Sequence, residues 1–214
     1  MLLDKDLLEK TISNNNILFT LRFYQWEGNW ISIGFHQKNY PKHWKDLIEK
    51  GLINIVRRPS GGGAVLHSGG ITYALTFKKP EYKKFSYQFV NSWLIKSFES
   101  LGLALKNGSI KKGSINENCF GTNYVSDLVD ENGKKRIGSA QYWKKGSFLQ
   151  HGEIQLNPPL DLWKKIFDQE PPKPLSLELS KKKIIRHLKN SFLKKYSDTS
   201  TENIFLKPHE IKKY

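Results

Sequence analysis

Two arginines and three consecutive glycines stand together in RRPSGGGAVLHSGG, residues 57–70. Glycine permits positive φ and leaves backbone amides bare, so a ligand can lie directly against them. Arginine beside such amides suits a phosphate or another oxyanion. Spacing excludes two familiar nucleotide loops. A Walker A loop needs GxxxxGK[ST], and neither Lys-Ser nor Lys-Thr follows the glycines at that distance. A GxGxxG loop needs a third glycine where Leu66 stands. A glycine-rich hairpin with solvent-facing arginines accounts for the same residues without any ligand.

The second chemical feature is a lone thiol. Cys119 is the single cysteine, so an internal disulfide and a paired-cysteine metal pattern are both excluded. The six histidines are scattered, with no HExxH, and no metal site is expected. A free cysteine is either a nucleophile or a small buried hydrophobe, and its own residue type does not decide which.

The elements that must position these groups are readable from periodicity. Residues 3–12 form an expected helix with Leu3, Leu7 and Leu8 on one face. Residues 18–26 and 30–35 read as two strands joined by a turn at Glu27-Gly28-Asn29. Residues 43–50 look helical, and 53–58 form a short strand that delivers the glycines. Residues 71–77 alternate β-branched and aromatic types, as a strand does. The clearest helix is 84–101, with Phe85, Phe89, Trp93 and Ser97 in one row, Val90, Leu94, Phe98 and Leu101 flanking it, and Gly102 ending it. Residues 106–116 read as a loop or frayed hairpin. Three strands follow, 123–130, 136–143 and 148–156, the first pair joined through Glu131-Asn132-Gly133. A short helix at 160–168, a proline connector at 169–179 and a basic amphipathic helix at 181–196 complete the chain. Helices interleaved with hairpins imply an α+β fold, mixed β-sheets flanked by helices, rather than a doubly wound parallel sheet. One domain over 1–214 is expected, with its core at about 1–168 and a C-terminal connector and basic helix at 169–214.

Composition narrows the class. The chain is 38% hydrophobic and has no apolar run of membrane-spanning length, so a globular protein with no membrane contact is expected. Its first residues, MLLDKDLLEK, lack the apolar region of a signal peptide, which makes a cytoplasmic location the default. A net charge of +15 implies either a solvated lysine-rich surface or an acidic partner, nucleic acid or protein. No helix-turn-helix, zinc-finger or RNP1 pattern supports a nucleic-acid-binding module.

Several blocks together resemble one family. RRPSGGGAVLH followed by GGITYALTF resembles the signature of the lipoate-protein ligases and octanoyltransferases, relatives of the biotin protein ligases. LRFYQWEGNWISIGFHQ (21–37) is similar to that family's first hairpin, KKRIGSAQ (134–141) to its K[IL]xGSAQ segment, and LQHGEIQL (149–156) to its LQHGSI strand. MLLDKDLL resembles its MAxDEALL helix, with Asp4 on the aspartate. The blocks fall in order over about residues 1–160. Biotin ligases themselves usually carry GRGRxG where this chain has RRPSGGG.

The resemblance implies roles. Arg58 and Gly61, Gly62 and Gly63 would hold the phosphate side of an acyl donor. Ala64, Val65, Leu66 and His67 would line the pocket beside it. Lys135 falls on the family's lysine at the acyl carbonyl, where a fixed ammonium stabilises a developing oxyanion. Gly138, Ser139 and Ala140 would shape the acyl channel, with His151 and Gly152 on the neighbouring strand. An acyl group of about eight carbons needs an apolar slot, each buried CH₂ giving about 0.8 kcal/mol. Spacing alone favours a solvated turn lysine at Lys135, beside Lys134 and Arg136; the GSAQ that follows favours function.

The family divides by donor. Asn118-Cys119-Phe120 resembles the Ala-Cys-Phe of the cysteine-dependent transferases, in which the cysteine carries the acyl group as a thioester. A nearby ammonium at Lys135, sixteen residues on, would raise the thiolate fraction of Cys119. The implied activity moves an octanoyl or lipoyl group onto a lysine of lipoyl domains, in dehydrogenase E2 subunits or the glycine cleavage H protein, with octanoyl-acyl carrier protein as the donor of octanoate. No bound cofactor is implied, lipoate or octanoate being substrate. The alternative is an ATP-dependent ligase that forms a lipoyl-adenylate and uses ATP and Mg²⁺. A third reading is an inactive member that binds the lipoyl domain without transfer. With only about 55 residues after residue 160, no large accessory domain of the ligase type is expected. One departure stands out: Arg136 occupies a position that is usually Ile or Leu. The acidic partners so implied would account for the basic surface.

Overall fold

The computed structural model describes residues 1–78, 86–108, 126–175, 179–196 and 200–204. In chain order these form α1 (Leu2–Ser13), β1 (Phe19–Tyr24), β2 (Trp30–Ile33), α2 (His43–Glu49), β3 (Asn54–Arg57), β4 (Val65–His67), β5 (Ile71–Phe77), α3 (Ser86–Glu99), β6 (Lys106–Asn107), β7 (Leu128–Val129), β8 (Lys135–Lys144), β9 (Ser147–Ile154), α4 (Leu160–Phe167) and α5 (Lys181–Lys194). The α+β reading holds, with two sheets. The larger has six strands in the order β1-β5-β9-β8-β7-β6, all antiparallel. The smaller has the order β3-β2-β4, with β2 parallel to β3 and antiparallel to β4.

Two expected hairpins are absent. β1 pairs with β5 and β2 with β3 and β4, so the turn at residues 27–29 carries the chain from one sheet to the other. The glycine stretch likewise joins β3 to β4 across the intervening β2. Register explains why local sequence misleads here: Arg22 pairs with Ala74, and Ile31 pairs with both Ile55 and Leu66, so the partners lie tens of residues away.

Both faces of the larger sheet are covered, and β5 is buried along six of its seven residues for that reason. On one face, α3 and α5 pack Val90, Trp93, Leu94, Phe98, Ile184, Leu188 and Phe192 against Ile71, Tyr73, Leu75, Ile137 and Phe148. Ile184, Leu188 and Phe192 recur every four residues, which sets one apolar row of α5 inward and leaves its lysines outside. Ser180 caps that helix by accepting from the Lys183 amide. On the other face, Leu8 of α1 meets Ala74 and Leu149. A second core lies under the smaller sheet, where Ile31, Ile33, Ala64 and Leu66 pack on Trp44 of α2 and on Trp163 and Phe167 of α4.

Arg136 has a structural account. It is 7% exposed, its Nε sits 2.8 Å from Asp130 Oδ2, and its Nη1 donates to the Lys173 carbonyl. The unusual arginine therefore ties the 131–133 turn to the C-terminal connector. No helix of the described residues is long and apolar enough to cross a membrane.

Candidate active site

A cavity of about 410 Å³ opens where the two sheets meet. Its walls come from the start of α1, β2, the glycine stretch, β4, β5, β8 and β9. Gly138 and Ala140 pair with Glu153 and His151 across β8 and β9, so small side chains stand opposite large ones on one sheet face. That difference in size opens space above the sheet.

Lys135 is the first residue of β8 and lines this cavity. Opposite β7, the register steps from Val129↔Lys135 to Leu128↔Ile137, which makes Arg136 the extra residue of a β-bulge. The bulge sets Lys135 off the regular alternation of the strand. Its Nζ lies 2.8 Å from Asp127 Oδ2, and both side chains are under 5% exposed. A buried ammonium is tolerated because that carboxylate faces it. The expectation of a solvated turn lysine is thereby excluded. Asp127 Oδ1 also accepts from the Ser139 amide at 3.4 Å. Tyr87, its hydroxyl pushed up to about 12 by burial, adds a neutral donor to the same wall.

The two arginines brace the backbone. Arg58 donates from Nη1 to the Ser32 carbonyl (2.8 Å) and from Nη2 to the carbonyls of Gly61 (2.8 Å) and Gly63 (2.6 Å). Arg57 Nη1 donates to the carbonyls of Gly34, Phe35 and Gln37. Arg58 so satisfies carbonyls of the glycine turn and β2, while the exposed Arg57 bonds those of Gly34, Phe35 and Gln37; Arg58 also lines the cavity with Gly61 and Gly62. The glycines are needed for packing as well. A Cβ on Gly34 would lie 1.8 Å from the Gly62 carbonyl oxygen, and Gly62 itself has φ 90°.

β4 divides the expected pocket residues by its period of two. Val65 and His67 face the cavity. Ala64 and Leu66 face the other way, into the core formed with Trp44 and Trp163, and are corrected to core residues. Gly63 contributes its carbonyl to Arg58 and is not part of the cavity wall. Gly138, Ser139, Ala140, His151 and Gly152 all line the cavity. Cys119 lies outside the described residues.

Two buried histidine–carboxylate groups flank the space. His151 Nε2 is 2.5 Å from Ser60 Oγ, and its Nδ1 is 3.9 Å from Asp4 Oδ2, beyond hydrogen-bond reach. Asp4 is held by Arg22 Nη1 (2.6 Å) and the Tyr24 hydroxyl (3.0 Å). Burial pushes the Asp4 carboxyl up, but His151, the N-terminal ammonium and Arg22 outweigh it and hold it at about 2. Burial lowers the His151 pKa against the opposing pull of Asp4, so the ring is neutral at pH 7. In the second group, His67 Nδ1 lies 2.8 Å from Glu153 Oε2 and its Nε2 lies 2.8 Å from Ser32 Oγ. Thr72 Oγ1 donates to the same Glu153 oxygen, the Trp26 indole donates to Thr72, and the Trp26 ring stacks on His67 with centroids 4.6 Å apart. Ser32, Thr72, Asp127 and Glu153 carry no local signal in the sequence, because they come together only when β2, β5, β9 and the residue before β7 meet in the fold.

The sequence matches the family described as the lipoyl protein ligase A/B catalytic domain over residues 1–191, and the chain belongs to that family. The octanoyltransferase LipM of Brevibacillus brevis is 34% identical over 156 residues, 67% of this chain and 56% of that protein. LipM of Oceanobacillus iheyensis is 30% identical over 209 residues, 88% of this chain and 76% of that one. The chain thus spans little more than half the length of the Brevibacillus relative. Among solved structures, the T. acidophilum protein Ta0514, a lipoate protein ligase by its description and bound to lipoic acid, matches with a TM-score of 0.76 at 20% identity, covering 94% of this chain and 82% of that one. A lipoate-protein ligase A bound with ATP matches with a TM-score of 0.76 at 18% identity, covering 98% and 84%. At such identities these structures speak for the fold.

Proposed function

We propose that this chain is an acyltransferase of protein lipoylation that moves an octanoyl or lipoyl group onto a lysine of a lipoyl domain. The observation that carries the reading is the buried Lys135–Asp127 pair on the wall of a cavity floored by Gly138 and Ala140. The similarity to LipM octanoyltransferases supports octanoyl as the acyl group. Cys119 is the acyl carrier in this reading. Its thiolate attacks the carbonyl of the donor thioester, the donor's C–S bond breaks, and the donor thiol leaves. The acceptor lysine's amine then attacks the acyl-cysteine, the amide forms, and the cysteine departs as a thiolate while the amine's proton is released. Both steps place negative charge on the carbonyl oxygen, and the Lys135 ammonium stabilises it. Asp127 keeps that ammonium in place. The glycine stretch, with its carbonyls held by Arg58, forms the opposite wall against which the acyl group lies. Acyl carrier protein as donor, lipoyl domains of E2 subunits or H protein as acceptors, and a cytoplasmic setting belong to this same reading.

The test is intact mass after incubation with octanoyl-acyl carrier protein without ATP. A hydroxylamine-labile octanoyl adduct that disappears in Cys119→Ser is the expected result. No adduct, with lipoyl-domain modification only when lipoate, ATP and Mg²⁺ are added, would replace the transferase with the ligase.

A further inference from the structure

The thioester route leaves one buried group in the cavity without a task. Glu153, His67 and Ser32 stand in line, carboxylate to Nδ1 at 2.8 Å and Nε2 to hydroxyl at 2.8 Å. All three line the cavity, and none exceeds 4% exposure. A carboxylate at Nδ1 places the ring proton there, so a neutral His67 offers its Nε2 lone pair to the Ser32 hydroxyl. That is the arrangement by which an imidazole activates a serine, with the acid fixing its tautomer and orientation. Supporting contacts leave the ring little freedom. Trp26 stacks on it, and Thr72 donates to the same carboxylate oxygen. Arg58 Nη1 sits 3.3 Å from Ser32 Oγ, a cation beside the nascent alkoxide. The other histidine of the cavity lacks this closure. His151 is 3.9 Å from its carboxylate, and its serine, Ser60, is not part of the cavity wall.

We propose that Ser32, His67 and Glu153 form a second acyl-accepting centre, with Ser32 as nucleophile toward medium-chain acyl thioesters and activated esters. It rests on the reading of the cavity as an acyl slot. The Ser32 hydroxyl attacks the acyl carbonyl while its proton passes to His67 Nε2. The donor's C–S or C–O bond breaks, and the departing thiol or alcohol leaves with that proton. Water, deprotonated by the same imidazole, then hydrolyses the seryl ester to the free acid and restores Ser32. The centre therefore gives the chain a hydrolytic activity on the acyl groups it binds.

The experiment uses the full chain carrying Cys119→Ser, so that no cysteine thioester arises. It is treated with p-nitrophenyl octanoate and, separately, with an alkyl fluorophosphonate, and the labelled peptide is located by mass. The label is expected on the peptide that contains Ser32. Turnover of the ester should fall about 10³-fold or more in Ser32→Ala and in His67→Gln. Glu153→Gln keeps the side chain's shape and tests the carboxylate, through loss of kcat with little change in KM. A label on any other residue, no label at all, or hydrolysis that survives Ser32→Ala overturns the proposal. The peptide assignment needs no variant at the centre, so a misfolded substitution does not obscure it. If Ser32 is labelled in the Cys119→Ser chain while the chain with Cys119 intact never modifies a lipoyl domain, the transferase reading fails and this one stands. Modification without the label does the reverse.

Discussion

Removing Asp127 tests whether the Lys135 environment is built as described. The two side chains meet at 2.8 Å and are 4% and 3% exposed, so the lysine ammonium has little water to fall back on. Asp127→Ala leaves that charge buried without its carboxylate, an effect of about 3–5 kcal/mol. For a chain of this length each kcal/mol moves the melting temperature by roughly 2–4 °C, which gives a fall of roughly 6–20 °C. Replacing both partners is different. Lys135→Met with Asp127→Ala removes both desolvation penalties, and most of the lost stability should return. The assay is a double-mutant cycle by urea unfolding on four chains, read as the interaction energy between the two sites. Acyl transfer should be lost in all three variants, because the ammonium is either absent or no longer held by Asp127. If Asp127→Ala costs under about 1 kcal/mol, the pair is solvated and the reasoning about a desolvated lysine fails. A double variant as unstable as Asp127→Ala would refute it equally.

Three further outcomes follow from particular contacts. Ala140→Leu fills the space opposite His151, so adduct formation from an octanoyl donor should fall at least tenfold while an acetyl donor is spared, as competition assays would reveal. Gly152→Ala would bring a Cβ to 2.6 Å from the Gly138 carbonyl oxygen and 2.7 Å from the Tyr73 ring, and should cost about 1–3 kcal/mol by chemical denaturation. His151 is neutral when folded because burial depresses its pKa below 6.5, so the unfolded chain binds the extra proton. Stability should therefore be full above pH 6.5 and decline as the pH falls below it. The depressed Asp4 carboxyl adds a second decline only below about pH 4, as the pH falls toward about 2. His151→Gln should remove the first decline and leave the second, and thermal melts across the two windows separate them.

Much of this molecule is legible in its sequence, for reasons that are local. The rows of α3 and α5, the stop at Gly102, and the turn at Glu131-Asn132-Gly133 depend on neighbours within a few residues. Lys135, Gly138, Ala140 and His151, each in a short motif visible in the sequence, line one cavity. What escapes is pairing at a distance. β1 and β2 look like a hairpin, yet their partners are β5, β3 and β4, and only the competition among all strands settles that. The direction of a side chain escapes as well. Arg57 and Arg58 resemble ligand-binding cations, but Arg58 bonds the carbonyls of Gly61 and Gly63 and Arg57 that of Gly34. Glu153 reads as an ordinary polar strand residue until Thr72 and His67 arrive from β5 and β4 to share it.

The bracing of the glycine turn has a thermodynamic consequence. Three adjacent glycines make the most freely moving peptide a chain can offer, and a loop of that kind usually surrenders its freedom when a ligand arrives. Here Arg58 bonds the carbonyls of Gly61 and Gly63, and the Gly62 oxygen is pressed close to Gly34, so contacts within the chain order the turn. The entropy of ordering the loop is therefore lost once, during folding, and is charged to the stability of the whole chain. In the proposed function, acyl groups meet this ordered wall, and their affinities differ by the surface they bury and the charges they meet. On that reading, discrimination by chain length follows from the shape that the folded turn already has.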